Sequence, residues 1–349
     1  MTGPAADWQA LAGTLAGALG MAASLPPPAV GPTPRQRLWA EGGAALYRYG
    51  DGARTARSVP LLIVYSFVNR PYLLDLEPDR SLIAALLARG RDVYLLDWGT
   101  PVAADRHRSL VDYALRPLER AVDAVLAAGR SEVHDLMGVC QGGTLALCHT
   151  LRRPERVRRL ITMVTPVDFA TPDDVLAAYA RHIDVESLVA TFGNVPGGFL
   201  RLGFQSLKLH GNTLGKLLTL AAAAGTPDQL ERVLRTERWV ADSPDQAGQA
   251  FLDFIRCFYR DNALVKGSLV LDGAALSLAA LRVPLLNLYA TRDHLVPPAS
   301  SRALANLATG ADYREHAFDG GHIGVYLSAR AQHEIPAAIA AFLAGGRPS

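Results

Sequence analysis

The chain has 349 residues, 35 Lys and Arg against 33 Asp and Glu, and an apolar fraction of one half. That much apolar sequence can bury a large core, which excludes a disordered chain. A net charge of +2 without any dense basic cluster gives no electrostatic footprint for nucleic acid.

The first 35 residues read as a separate segment. An Ala/Gly/Leu stretch, expected to form a short amphipathic helix, runs into Pro26-Pro27-Pro28, Pro32 and Pro34, which end any helix. No Lys or Arg precedes Arg35, so the basic start of a secretory signal is missing. The strongest apolar run, Val59 to Val68, is too short to span a bilayer. Three cysteines (Cys140, Cys148 and Cys257) form no disulfide framework and no CxxC pair. The expectation is a cytoplasmic protein in a reducing compartment, without a transmembrane segment.

From residue 44 onward, strands and helices alternate. Strands are expected at 44–49, 60–65, 92–96, 133–137 and 159–164, and helices at 79–89, 110–128 and 144–151. This order predicts an α/β fold with a mostly parallel sheet covered on both faces. The alternation stops after Asp168. Residues 171–262 read as helical, with segments at 173–182, 214–224, 228–237 and 246–259. Strands return at 284–289 and 312–316, and a last helix at 332–343. A helical block between strands of one sheet is expected to be a cap. The expected division is therefore a segment 1–35, a core of 36–170 and 270–349, and a cap of 171–269.

The sharpest motif is Gly138-Val139-Cys140-Gln141-Gly142-Gly143, between an apolar strand and a helix. This is the strand–turn–helix context of a nucleophile elbow, with Cys as the nucleophile. Glycines suit the tight turn, and the following helix aims its N-terminus at the sulfur, which favours thiolate. The Gln141 N–H is placed to donate to an oxyanion. Elbow enzymes place an acid and then a His later in the chain. Asp293, just beyond the strand 284–289, is the candidate acid, and His322 in Gly320-Gly321-His322 the candidate base. Asp135, Asp168 and Asp319 are rival acids and His294 a rival base, while His134, His149 and His316 read as structural. The second oxyanion amide is expected after the strand ending at Tyr65, at Val68 or a neighbour. No metal-ligand spacing and no phosphate loop is present.

Several blocks in order resemble the catalytic subunit of polyhydroxyalkanoate synthases, most closely class III, over roughly residues 36–345. They are Phe67-Val-Asn-Arg-Pro-Tyr72, Val93-Tyr-Leu-Leu-Asp-Trp98, Gly138-Val-Cys-Gln-Gly-Gly-Thr144, Met163-Val-Thr-Pro-Val-Asp168, Asp293-His-Leu-Val-Pro-Pro298 and Gly320-Gly-His-Ile-Gly-Val-Tyr326. The resemblance implies an α/β-hydrolase fold with Cys140 as nucleophile, His322 as base, Asp293 as its acid, and Val68 and Gln141 as oxyanion-hole amides. It implies polymerisation of (R)-3-hydroxyacyl-CoA, of short chain such as 3-hydroxybutyryl-CoA, with no cofactor beyond the coenzyme A of the substrate. It further implies an E-type second subunit, a homo-oligomer and a place at the surface of polyester granules. An elbow Cys with Asp and His also suits a thioesterase or an intracellular polyester depolymerase. A non-catalytic granule-associated homologue is the other alternative.

Overall fold

A computed structural model describes residues 13–14, 16–17, 20–22, 24–50, 58–206 and 226–346. Most of the expected N-terminal helix and the expected helix at 214–224 lie outside the described residues.

Eight strands form the main sheet: β1 (Arg35–Glu41), β2 (Ala44–Tyr49), β3 (Leu61–Val64), β6 (Val93–Asp97), β7 (His134–Val139), β8 (Val157–Met163), β11 (Leu285–Ala290) and β12 (Tyr313–Phe318). Among the described residues two short ribbons stand apart from it, β4 (Asp75–Glu77) with β5 (Arg80–Ser81) and β9 (Leu269–Leu271) with β10 (Ala274–Leu276). The order across the sheet is β1-β2-β6-β3-β7-β8-β11-β12. β1, β2 and β6 pair antiparallel, and every pairing from β6 to β12 is parallel.

The inner strands are continuous apolar runs because both faces are covered. Side chains alternate between two cores. Leu62, Val64, Leu136 and Leu285 enter one core, under α2 (Arg116–Gly129) and α3 (Gln141–Arg152). Leu61, Ile63, Met137 and Leu286 enter the other, under α1 (Leu82–Leu87) and the C-terminal helix Ala331–Leu343. The expected helix at 79–89 is shorter than its pattern, because Arg80 and Ser81 pair with β4 first and the Ser81 hydroxyl then caps α1.

β1 and β9–β10 were not anticipated from the pattern. β1 is an exposed edge strand, so it carries no apolar signature. Its turn does have one: Gly42 and Gly43 both adopt positive φ (56° and 89°), as a two-residue hairpin of this hand requires. Asp272 and Gly273 (φ 52° and 75°) turn β9 into β10 in the same way.

Between β8 and β11 the chain leaves the sheet and forms α4 (Val175–His182), α5 (Val185–Phe192), α6 (Gly197–Ser206), α7 (Pro227–Ala241) and α8 (Gly248–Phe254). Helix α7 is held by an arginine clamp. Arg232 and Arg235 meet the two oxygens of buried Glu77 at 2.6 and 2.9 Å. The proline-rich segment lies along the same helix, with Pro28 O and Ala29 O accepting from Arg238 and Arg235. Thr33 and Gly31 tie that segment to Asp75. Among the described residues no helix is long and apolar enough to cross a membrane.

Candidate active site

β7 ends in Gly138-Val139, and the chain turns sharply at Cys140 into α3. Cys140 adopts φ 53° and ψ −127°, a conformation that costs a non-glycine residue about 1–3 kcal/mol. The surroundings impose it. Cys140 N donates to Met163 O at 2.9 Å, and Gly143 N to Cys140 O at 2.9 Å. A side chain at Gly138 would meet Gly143 Cα at 2.3 Å, and one at Gly142 would meet Val64 O at 2.2 Å. These glycines therefore let α3 pack directly on the ends of β3 and β7. The result lifts the half-buried Cys140 thiol above the sheet edge, at the start of α3.

The acid stands after β11. Asp293 Oδ1 accepts from the N–H groups of Leu295 and Val296 at 2.9 Å each, which leaves Oδ2 free to bond His322 Nδ1 at 2.7 Å. Backbone bonds join the two loops, from Thr291 N to Phe318 O and from Arg292 N to Gly320 O. Both side chains are buried. With Nδ1 occupied by Asp293, the imidazole keeps its other nitrogen for the cavity whose wall it shares with Cys140. Burial opposes charge on His322, but Asp293 and the neighbouring sulfur outweigh it and push its pKa up to about 10. The ring accordingly holds a proton at neutral pH.

The five residues expected at the site come together. Val68, Gln141, Cys140 and His322 line one cavity of about 270 Å³, and Asp293 backs His322 from behind. Gln141 opens α3, so its N–H has no acceptor within the helix. The rivals lie apart or are otherwise engaged. Asp135 binds Arg158 at the far end of β7, Asp168 accepts from Asn262, and Asp319 pairs with Arg292 on the surface. His316 bonds Glu334, and His134 and His149 are buried together, ring centroids 6.1 Å apart. His294 also lines the cavity, next in sequence to the acid. Among the described residues no group of three His, Cys, Asp or Glu gathers as metal ligands.

The walls hold residues that the sequence reading missed. Tyr65, Tyr259 and Tyr326 line the same cavity as Cys140. Burial, with the thiol nearby, drives all three phenols well above their ordinary pKa, so they remain protonated. Tyr326 stacks edge-on against His322 at 6.1 Å. Ser66 donates to Gln141 Oε1 at 3.2 Å and accepts from Val68 N at 3.1 Å, linking the two candidate oxyanion loops. Tyr65 could have been found from its place at the strand end and Tyr326 from its place one helical turn after His322. Tyr259 comes from distant helical sequence and carried no signal. Trp239, Leu176 and Phe204 close the cavity from α7, α4 and α6. A second, mostly apolar cavity of about 440 Å³ adjoins it and shares Val68, Gln141, Leu176, Phe204 and Tyr259.

A strained elbow at the end of a parallel strand, an acid after a later strand and a histidine near the C-terminus define the class. A family model for the alpha/beta hydrolase fold matches residues 59–329. Solved structures agree at the level of fold. A bacterial membrane phospholipase A aligns with a TM-score of 0.56 at 17% identity over 97% of this chain and 91% of its own. An esterase from Thermogutta terrifontis aligns with a TM-score of 0.50 at 17% identity over 89% and 98%.

Among sequence relatives, the chain is 46% identical over 315 residues to the poly(3-hydroxyalkanoate) polymerase subunit PhaC of Allochromatium vinosum, covering 90% of this chain and 89% of that one. It is 42% identical to the subunits of the same name from Thiocystis violacea (90% and 88% covered) and Synechocystis (90% and 85%). The chain belongs to this family of α/β-hydrolase-fold enzymes, the PhaC subunits of poly(3-hydroxyalkanoate) polymerase.

Proposed function

We propose that this enzyme is a polyhydroxyalkanoate synthase that transfers (R)-3-hydroxyacyl groups from coenzyme A to a growing polyester through a thioester on Cys140. The observation that carries the reading is the bond from His322 to Asp293, with the opposite edge of the ring facing Cys140 beneath a mostly apolar roof. The Cys140 thiolate attacks the acyl thioester, and the oxyanion is received by the N–H groups of Gln141 and Val68. The tetrahedral intermediate collapses, the coenzyme A thiolate leaves, and the His322 imidazolium protonates it. The hydroxyl of a second hydroxyacyl unit then loses its proton to His322 and attacks the acyl-enzyme. Cys140 leaves as thiolate and an ester bond has formed. Thioester to oxyester is downhill, a drive that a serine nucleophile would forfeit. Asp293 orients the ring and stabilises its charge, and on the family likeness also assists the 3-hydroxyl.

A short acyl group such as 3-hydroxybutyryl is proposed on the likeness to class III subunits. The helices between β8 and β11 act as the cap that keeps water from the acyl-enzyme. The likeness to class III subunits supports an E-type partner, a homo-oligomer and work at a granule surface. The test is coenzyme A release from 3-hydroxybutyryl-CoA, with and without an E-type subunit, together with recovery of insoluble polymer. Release with polymer, stimulated by the partner and abolished in Cys140→Ala, is the expected result. Soluble hydroxyacid as the only product would mark a hydrolase. Failure to acylate Cys140 even with the partner present would mark a non-catalytic homologue.

A further inference from the structure

We propose that Gln246 is a positioning residue for acyl transfer, holding and polarising the Phe67–Val68 peptide whose N–H serves the oxyanion. The inference rests on the reading of Cys140 and Val68 given above. Gln246 Nε2 donates to Phe67 O at 2.6 Å, in a buried contact between segments far apart in the chain. In a trans peptide the C=O and N–H point opposite ways. Anchoring Phe67 O therefore turns Val68 N–H to the other side. There it donates to Ser66 Oγ at 3.1 Å, the bond that an incoming oxyanion would replace, and both Ser66 and Val68 line the cavity of Cys140 and His322. A carbonyl that accepts a hydrogen bond also makes the N–H of its own peptide a stronger donor.

Gln246 is itself fixed. Its N–H and C=O both pair with Val195 at 2.9 Å. Two residues on, a side chain at Gly248 would meet Gly193 O at 1.9 Å, so the start of α8 packs against the end of α5 without slack. The rest of the loop is held separately, at Tyr65 O by Trp98 Nε1 (2.8 Å) and at Asn69 by Ser243 Oγ (3.0 Å). Gln246 alone grips the carbonyl of the oxyanion peptide among the described residues. The segment joining α7 to α8 over the site thus sets the direction of a donor that the sheet-edge loop carries.

Two variants test this. Gln246→Met keeps length and bulk without the N–H, and Gln246→Glu replaces the donor with a carboxylate. Coenzyme A release from 3-hydroxybutyryl-CoA and alkylation of Cys140 by iodoacetamide are measured for each against wild type. Alkylation forms no oxyanion and reports the thiol alone. Gln246→Met is expected to lower kcat roughly 10- to 100-fold, with KM and alkylation near wild type. A buried Glu has a raised pKa, and its protonated form can donate again. The activity ratio of Gln246→Glu to wild type should therefore climb as pH falls. A wild-type kcat in Gln246→Met, a rise in KM alone, or a pH-independent ratio in Gln246→Glu overturns the proposal while leaving the function standing. Absence of coenzyme A release by wild type with its partner overturns both. If Gln246→Met does not fold, the pH ratio of Gln246→Glu decides.

Discussion

His322 Nδ1 lies 2.7 Å from Asp293 Oδ2 although the two residues are 29 positions apart and belong to different loops. Asp293 has already spent its other oxygen on two backbone amides, so its direction is set before the histidine arrives. Asp293→Asn should leave the fold intact and lower coenzyme A release at least about 100-fold, because the amide no longer selects the tautomer or stabilises the imidazolium. The His322 ring should then titrate well below its present value of about 10, as read by NMR of the ring protons. The sign for stability follows. A folded pKa above the unfolded ~6.5 stabilises fully below ~6.5, and this is lost as pH rises through about 10. The stability gap between wild type and Asp293→Asn should therefore narrow from pH 7 to pH 10. A constant gap would refute the assignment.

The two glycines after Gln141 should differ in what they tolerate. A methyl group at Gly142 meets the backbone of β3 at 2.2 Å, whereas one at Gly143 meets the Thr165 side chain at 1.9 Å. Backbone cannot move aside without shifting the sheet. Gly142→Ala should then lose more stability than Gly143→Ala, each by more than about 1 kcal/mol in urea melts. Thr165→Ala should recover part of the loss in Gly143→Ala and none in Gly142→Ala, since only the first pair shares a contact.

Helix α7 supplies Trp239 and Val240 to the cavity wall, with Ser243 just beyond its end, and buried Glu77 holds that helix through Arg232 and Arg235. Glu77→Gln should cost about 1–3 kcal/mol. This is less than a fully buried pair would lose, because Arg232 is 42% exposed and can be rehydrated. The amides of 227–241 should exchange faster in hydrogen-exchange measurements. Protection unchanged from wild type would show that apolar packing alone docks the helix.

Burial holds His149 and His134 uncharged, down to pKa values of about 3 and about 4, with Arg152 and Arg156 adding repulsion. The unfolded chain binds these protons first, near pH 6.5. Stability should be full above ~6.5 and fall as pH drops toward 4, by several kcal/mol in total. In His149→Gln the urea midpoint should fall less between pH 7 and pH 4.5 than in wild type. Equal slopes would place the acid sensitivity elsewhere.

The legible parts of the fold were those with a periodic apolar signal. The inner strands β3, β6, β7, β8 and β11 read as short apolar runs because both of their faces are covered. β1 did not, because an edge strand facing water needs no apolar alternation. Its Gly42-Gly43 turn and the Asp272-Gly273 turn of β9–β10 were the marks that could have placed both hairpins. The triad candidates were legible for a different reason. Each stands directly after a strand, where local chain order predicts position at the sheet edge.

Sequence alone thus indicated the kind of fold and singled out Cys140, Asp293 and His322 as candidates, since an elbow and two strand-end loops are local features written in consecutive residues. The walls of the site were a matter of three-dimensional packing. Trp239 and Tyr259 come from helical segments whose patterns report only that they are helical, and Gln246 from the short stretch between α7 and α8 that bridges to Val195. What they face depends on how a long excursion between β8 and β11 settles over the sheet. Burial of Glu77 between two arginines and the turn of the Phe67–Val68 peptide arise from contacts between residues some 155 and 179 positions apart. Such contacts are chosen by the packing of whole elements, and no local pattern of residues encodes them.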